Sequence, residues 1–397
     1  MQPAPAPAAV TAGRVTWPLL VVLASLAAVA PIATDLYLPG FPEMGAALAA
    51  PPSGVQLTLT TFLVGLAVGQ LVTGPLSDRF GRRRPLVLTT AASVAAGAVC
   101  ALAPNLPVLA GARFVAGLAG AGGLVIGRAV IADLVEGRAA ARAFTLMLTV
   151  GGVAPVLAPL VGGLLVGQVG WRGLLWTVVA LCVAMLAGVL LVVPETLPEQ
   201  ARGGERLPLR RAVRTVLGRP GYAAPMAVFA LAFGVMMAYI AASPFVYRNV
   251  LGLSAVGYGV MFGVNAAGLT AAGALSARFV DRVDPARIVR AALVVQVAAT
   301  VGFAALAAAS APSWTYAVAI WVAVVANGGI LGNASALAMG HVRDVAGSGS
   351  AVLGFAQFVL GALVSPLVGL GGETSALVPA LVMAGASVLA LGVSRRL

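Results

Sequence analysis

The sequence predicts an all-α polytopic membrane protein of 12 transmembrane helices, arranged as two six-helix bundles related by a pseudo-twofold repeat. Three observations carry that prediction: abundant apolar residues, regularly spaced interruptions, and a loop motif that occurs twice. Hydrophobic residues make up 60% of the 397, and charged residues only 9%. A spanning helix uses roughly 20 apolar residues, so twelve spans need about 240, which is the number available. A soluble enzyme, a nucleic-acid module or a disordered chain does not have this composition. The net charge of +12 comes from Arg alone, scattered between apolar blocks rather than gathered into one patch, so no nucleic-acid partner is expected.

Long apolar runs broken by Arg, Pro and Gly clusters place the first six spans at 17–39, 55–77, 85–103, 107–128, 139–166 and 171–193. The second six fall at 221–247, 254–277, 286–309, 313–337, 345–369 and 374–394. Residues 1–13, rich in Pro and Ala, read as a disordered tail. Residues 14–193 then make the N-terminal bundle and 221–397 the C-terminal bundle. The cytoplasmic linker, 194–220, carries Arg202, Arg206, Arg210, Arg211, Arg214 and Arg219.

Assigning loops alternately to two sides puts 21 Arg on one side and only Arg172 and Arg248 on the other, with Arg113 inside a span. The positive-inside rule makes both termini cytoplasmic, which requires an even number of spans. The block after Arg14 has small residues at Ala28 and Ala30, as a cleaved secretory signal has. Pro31 and the continuation through Asp35-Leu36-Tyr37 argue for a retained helix instead.

Little chemistry is available to such a chain. Cys100 and Cys182 lie inside apolar blocks, which gives no support to a disulfide framework or a thiolate site. His341, read as a solvated loop residue, is the only His, which removes His-based metal sites and the Ser-His-Asp triad. No metal is expected, and no enzyme activity, since a membrane enzyme needs clustered His, Cys or acids at an interface. The Arg-poor side holds only Glu43 and Glu373 as acids. Asp133, Glu136, Arg138 and Arg142 read as a solvated charged turn.

The turn after span 2 reads Gly74-Pro75-Leu76-Ser77-Asp78-Arg79-Phe80-Gly81-Arg82-Arg83-Arg84. After span 8 the chain reads Gly273-Ala274-Leu275-Ser276-Ala277-Arg278-Phe279-Val280-Asp281-Arg282, which matches G-x-L-S-x-R-F at an offset of 199. A parallel repeat of six-helix units is the pattern of the two halves of major facilitator superfamily transporters, and the chain resembles that superfamily. Its loop signature G-x-L-x-D-R-x-G-R-R/K is matched by Gly74, Leu76, Asp78, Arg79, Gly81, Arg82 and Arg83. Arg113 through Gly117 resemble its R-x-x-x-G motif, and Gly151, Pro155, Pro159, Gly162 and Gly163 resemble its antiporter motif. Thr34-Asp35-Leu36-Tyr37-Leu38-Pro39, Ala241-Ala242-Ser243-Pro244-Phe245-Val246-Tyr247 and Pro194-Glu195-Thr196-Leu197 look like the bicyclomycin and chloramphenicol resistance (Bcr/CflA) branch. In the second copy of the loop motif, Ala277 and Val280 stand where the first has Asp78 and Gly81, which weakens any symmetric gating role.

A carboxylate inside a span is costly and is by default a functional hypothesis, which singles out Asp35. Counted from Pro39 and Pro107 at 1.5 Å per residue, Asp35 and Arg113 lie about 6 and 9 Å below the Arg-poor surface, at compatible depths. One reading pairs them, ionised in one state and separated with Asp35 protonated in the other. A fixed structural contact is the alternative, and Arg113 has the equal option of donating to carbonyls of span 1. In the loop motif, Asp78 can face a helix N-terminus while Arg79, Arg82 and Arg83 pair with acids or lipid phosphates, making a cytoplasmic gate. Gly74 and Gly81 permit a tight turn and close packing. Pro155 and Pro159 each remove a backbone hydrogen bond, so a kink is expected in span 5. Tyr239, Ser243 and Tyr247 recur every four residues, with Phe245 adjacent, and Asn265, Asn327 and Gln357 lie mid-span. These residues and Tyr37 are candidates either for substrate contact or for interhelical hydrogen bonding.

A cavity of amides and aromatics with one ion pair suits a lipophilic neutral ligand better than a polyanion. The family resemblance implies proton-driven efflux of small drugs across the bacterial cytoplasmic membrane by alternating access. Protons are the coupling ion, no cofactor is needed, and a monomer is expected. An exporter of an amino acid or sugar metabolite on the same scaffold is the competing reading.

Overall fold

The computed structural model describes residues 16–135, 137–199, 202, 209–280, 282–342 and 345–397. The expected tail at 1–13, together with Glu136 and Arg206, lies outside them. Every regular element among the described residues is helical: α1 (Trp17–Asp35), α2 (Phe41–Ala47), α3 (Pro52–Phe80), α4 (Arg83–Leu102), α5 (Leu106–Leu134), α6 (Gly137–Val192), α7 (Leu209–Leu217), α8 (Ala223–Phe245), α9 (Ala255–Phe279), α10 (Pro285–Ala308), α11 (Trp314–Gly340), α12 (Ala346–Leu367) and α13 (Leu377–Ser394).

The starts follow local chemistry. Asn105 caps α5 by accepting the Val108 N–H at 3.1 Å, and Asp284 caps α10 from the Ala286 N–H at 2.9 Å. Each cap precedes a Pro in the first turn, where a missing N–H costs nothing. Ser254 caps α9 from the Gly257 N–H at 3.1 Å. Gly81 closes α3 at φ 87°, a left-handed conformation that favours glycine.

Among the described residues, eleven helices are long and apolar enough to cross a membrane. The longest runs through residues 137–192, far more than one crossing needs, and breaks at Gly170, whose φ is 66° and ψ 176°. Residues on both sides of the break lie at the Arg-poor end: Gly162 packs on Leu36, and Trp171 on Gly40. Farther on, Arg83 reaches back to the Leu190 carbonyl at the other end. The segment is therefore two antiparallel crossings, as the expected gap between 166 and 171 requires, and the total among the described residues is 12.

The ends depart from expectation in several places. Past Asp35 the chain turns into a 3₁₀ segment (Leu38–Gly40) and α2, where one span to 39 was expected. A π-turn (Val246–Val250) extends α8. Helix α5 runs to Leu134, beyond the end expected at 128. Arg138 and Arg142 sit on the first turns of α6 rather than in a turn. The linker also holds α7, an amphipathic helix not expected, whose Val216 is fully buried beside Tyr222, Val342 and Leu353.

Helices α1 and α3–α6 pack on one another, as do α8–α13, and the two bundles meet where α3 lies against α12 and α6 against α9. The apolar core differs between the two ends. At the Arg-poor end one continuous core runs across both bundles, from Leu36, Phe41 and Phe62 to Tyr239, Phe245 and Val368. At the Arg-rich end the cores are separate, one built on Leu23, Ile131 and Val189 and another on Val228, Val289 and Ile330.

Candidate transport pathway between the bundles

Asp35 ends α1 at 3% exposure, and its Oδ1 is buried without a hydrogen-bond partner. It makes no ion pair with Arg113, so the paired geometry read from the sequence is absent from this conformation. Arg113 instead donates from Nη2 to the Ala33 carbonyl at 2.9 Å and from Nε to the Thr58 carbonyl at 3.4 Å. Its guanidinium lies 4.4 Å from the Tyr37 ring centre and 4.3 Å from that of Phe62. Of the roles weighed for Arg113, carbonyl anchoring is the one this geometry has, and the planar fork suits it.

Across from α1, the second bundle presents a hydrogen-bonded aromatic wall. Asn265 Nδ2 donates to the hydroxyls of Tyr239 at 3.1 Å and Tyr247 at 2.9 Å, and to the Met261 carbonyl at 2.9 Å. Ser243 Oγ donates to the Ile240 carbonyl at 2.9 Å and lies 3.2 Å from the Tyr258 hydroxyl. Tyr239 stacks on Phe262 at 5.3 Å, and Tyr258 lies 6.0 Å from the same ring. Leu36, Tyr37 and Phe41, which follow Asp35, belong to the same buried core as Tyr239, Tyr247, Tyr258 and Phe262. Tyr258 and Phe262 were missed from sequence, although with Asn265 they fall at i, i+4 and i+7 on one face of α9.

The other candidates divide. Tyr37 bonds to Thr58 Oγ1 at 3.1 Å and is fully buried. Phe245 meets Phe41 across the bundles at 6.2 Å. Asn327 donates to the Ala232 carbonyl at 3.0 Å, leaving its Oδ1 buried and unpartnered. It also lines a cleft of about 490 Å³ between α9 and α11, with Leu269, Ser276, Leu331 and Asn333, a size within the range of ligand pockets. Gln357 is half-buried on α12. Gln56, not singled out from sequence, donates to the Ala241 carbonyl of the opposite bundle at 3.0 Å. A lone amide near a helix start gave no pattern to find it by.

The antiporter motif sits at the contact between bundles. A Cβ on Gly162 would collide with the Leu36 carbonyl, and one on Gly163 with the Ala255 carbonyl. The Pro159 carbonyl faces Gly259 of α9. Helix α6 continues through Pro155 and Pro159, and its one residue with non-helical dihedrals is Gly170. Gly151 lies on the same helix.

The loop motif forms a charge network at the Arg-rich end. Arg82 pairs with Asp78 and with Asp133 Oδ2 at 2.8 Å, and donates to Ser77 Oγ at 2.9 Å. Asp133 also accepts from Thr196 at 2.8 Å, so it is a network member rather than part of a solvated turn. At the start of α4, Glu195 accepts the backbone N–H of Arg82 at 2.7 Å and of Arg83 at 3.3 Å. Burial pushes the Glu195 carboxyl up, but donation from Arg82, Leu197 and Arg83 and the Arg202 charge outweigh it and hold it below its ordinary value. Burial likewise opposes the Arg82 charge, and Asp133 and Asp78 overcome it, holding the guanidinium above its ordinary range. Arg79 lies 5.3 Å from the Phe80 ring centre. Gly74 sits inside α3 with ordinary space around it, so of the two motif glycines only Gly81 makes a turn.

Two helical bundles meeting along a buried polar seam, with separate cores at one end, define a membrane transporter. The sequence model of the Major Facilitator Superfamily matches residues 23–366, and the chain belongs to that superfamily. An uncharacterized MFS-type transporter, YdgK, of Bacillus subtilis is 33% identical, over 92% of this chain and 91% of its own length. A bicyclomycin resistance protein homolog of Haemophilus influenzae is 29% identical over 89% of each chain. Among solved structures, a bacterial homolog of the human lysosomal transporter Spinster, inward-facing and occupied, superposes with a TM-score of 0.76 at 16% identity, covering 95% of each chain. A D-xylose-proton symporter gives 0.75 at 15% identity, covering 94% of this chain and 97% of that one. These structural likenesses show the fold. The family and its structural neighbours are transporters, and the chain is not an enzyme.

Proposed function

We propose that this transporter is a proton-coupled exporter of small lipophilic drugs in the bacterial cytoplasmic membrane, with both termini cytoplasmic. It exchanges drug for protons by alternating access, works as a monomer among membrane lipids, and needs no cofactor and no nucleic acid. The observation that carries this reading is the Asp35 carboxylate, buried with an unpartnered oxygen where the following residues, Leu36 and Tyr37, join the core that holds Tyr239 and Tyr258. A carboxylate in that position is costly unless it holds a proton or meets a ligand group. The resistance-protein relative supports drugs as the cargo class, and the neutral, aromatic and amide character of the wall supports phenicol-like or bicyclomycin-like molecules.

Proton coupling in this reading needs Asp35 to change partners between states. Arg113, anchored to the carbonyls of Ala33 and Thr58, is the group that Asp35 meets when the seam rearranges, and that meeting favours proton release.

Internal pH of proteoliposomes, recorded with an imposed proton gradient and added chloramphenicol, tests the proposal. Drug-triggered proton movement in the wild type that disappears in Asp35→Asn is the expected result. Full proton-coupled efflux in Asp35→Asn sinks the assignment of the carrier. Absence of drug-triggered movement in folded wild type removes this drug and turns the search to amino acid and sugar metabolites.

A further inference from the structure

We propose that Glu43 and Arg248 form a latch that holds the Arg-poor end of the pathway shut and parts each time that end opens. Glu43 lies on α2 of the first bundle and Arg248 on the π-turn that follows α8 of the second. Arg248 Nη1 donates to Glu43 Oε1 at 2.7 Å and Oε2 at 2.8 Å, and to the Pro39 carbonyl at 2.6 Å. One guanidinium thus holds both an acid of the opposite bundle and the backbone four residues past Asp35.

The strength of the contact suits a closure that opens repeatedly. The Arg248 and Glu43 side chains are 20% and 43% exposed, so water reaches the pair. An ion pair in that setting is weak enough to separate, unlike a fully desolvated one. Arg248 Nε is buried with no partner, so the closed arrangement leaves one donor unsatisfied.

The placement is equally specific. The Arg-poor side carries two Arg, and Arg172 is spent within its own bundle, donating to the Ala103 carbonyl at 2.9 Å. Arg248 instead crosses the seam. A π-turn displaces the residues after it around the helix axis and recurs at functional sites; here it aims Arg248 at α2 while the adjacent Tyr247 stays bonded to Asn265. Opening this end therefore moves the latch, the segment after Asp35 and the aromatic wall together.

Cysteine accessibility tests the latch without any substrate, independently of the drug assignment. Ala241→Cys, placed in a background with Cys100→Ser and Cys182→Ser, reports the seam beneath the latch, since Ala241 is fully buried and its carbonyl is held by Gln56. Purified protein is labelled with a soluble maleimide. Glu43→Gln and Arg248→Gln are each expected to raise the labelling rate roughly three- to tenfold, and the double replacement no further than the larger single effect. Unchanged rates, or single effects that multiply in the double replacement, overturn the latch. Native Cys182, 4% exposed, is the packing control when the same replacements are made in the wild-type background. Faster labelling there means general loosening and overturns the proposal as well.

Discussion

Arg113 is legible in the sequence as a charge out of place, yet three roles are open to it there and only the folded structure separates them. Its two carbonyl contacts and two aromatic faces use the guanidinium as a planar fork, which a lysine lacks. Arg113→Lys is expected to lose one carbonyl contact and destabilise the fold by about 1–3 kcal/mol, read as a lower midpoint of thermal unfolding in detergent. Glu195 appeared in the sequence only as part of a family-like tetrapeptide, because the helix start it caps, at Arg82 and Arg83, lies more than a hundred residues away. Its folded-state pKa lies below its ordinary value, so its contribution to stability is full above roughly pH 4.3 and is lost as pH falls through the folded value. Glu195→Gln is expected to flatten that acid-side loss. Unfolding midpoints compared between about pH 3 and pH 6 give the answer, and an identical pH profile in wild type and variant removes the cap from the account.

At the scale of elements, the apolar runs located every crossing, and errors concentrated at ends and joints. Hydropathy reports the length of a run, whereas the 3₁₀ turn after Asp35 and the π-turn after Phe245 depend on which backbone groups find partners. Helix α7 has no spanning signal because it is a short run that mixes Arg with apolar residues, and its Val216 gains burial only against distant partners such as Val342 and Leu353. Close helix crossings were legible only as glycine-rich stretches. Gly117 of α5 stands against the Phe62 carbonyl of α3, and a Cβ there would collide with it, whereas Gly111 on the same helix has nothing within 4 Å. Gly117→Ala is expected to cost about 1–3 kcal/mol by overpacking. Gly111→Ala is expected to be neutral or to stabilise by up to about 1 kcal/mol through helix propensity. Thermal unfolding of the two variants side by side checks the contrast, and equal midpoints contradict the crossing geometry.

On the scale of the molecule, the continuous core at the Arg-poor end and the divided cores at the Arg-rich end give the two ends different resistance to opening. The break at Gly170 turns one apolar stretch into two crossings, so the described N- and C-terminal helices begin and end on the same side. Reporter fusions at the two termini are expected to agree in sidedness, and opposite sides contradict the reversal at Gly170. For the wall, Asn265→Ala removes the donor shared by Tyr239 and Tyr247 and frees both rings. If the wall contacts cargo, this variant raises the apparent KM for drug several-fold, by about 1–2 kcal/mol of lost positioning, and leaves the proton coupling proposed for Asp35 unchanged.

The sequence by itself determined the class of the molecule. Its apolar supply, its repeated loop motif, its Arg asymmetry and its lone His are properties of composition and spacing, and a bilayer converts them directly into helices and exclusions. Only the tertiary structure decided the pairings: Arg113 with carbonyls instead of Asp35, Glu195 with α4, Gln56 with Ala241, Arg248 with Glu43. The physical reason is that hydrophobic burial is roughly additive along a chain, while a hydrogen bond or ion pair depends on where two distant groups arrive within about 3 Å.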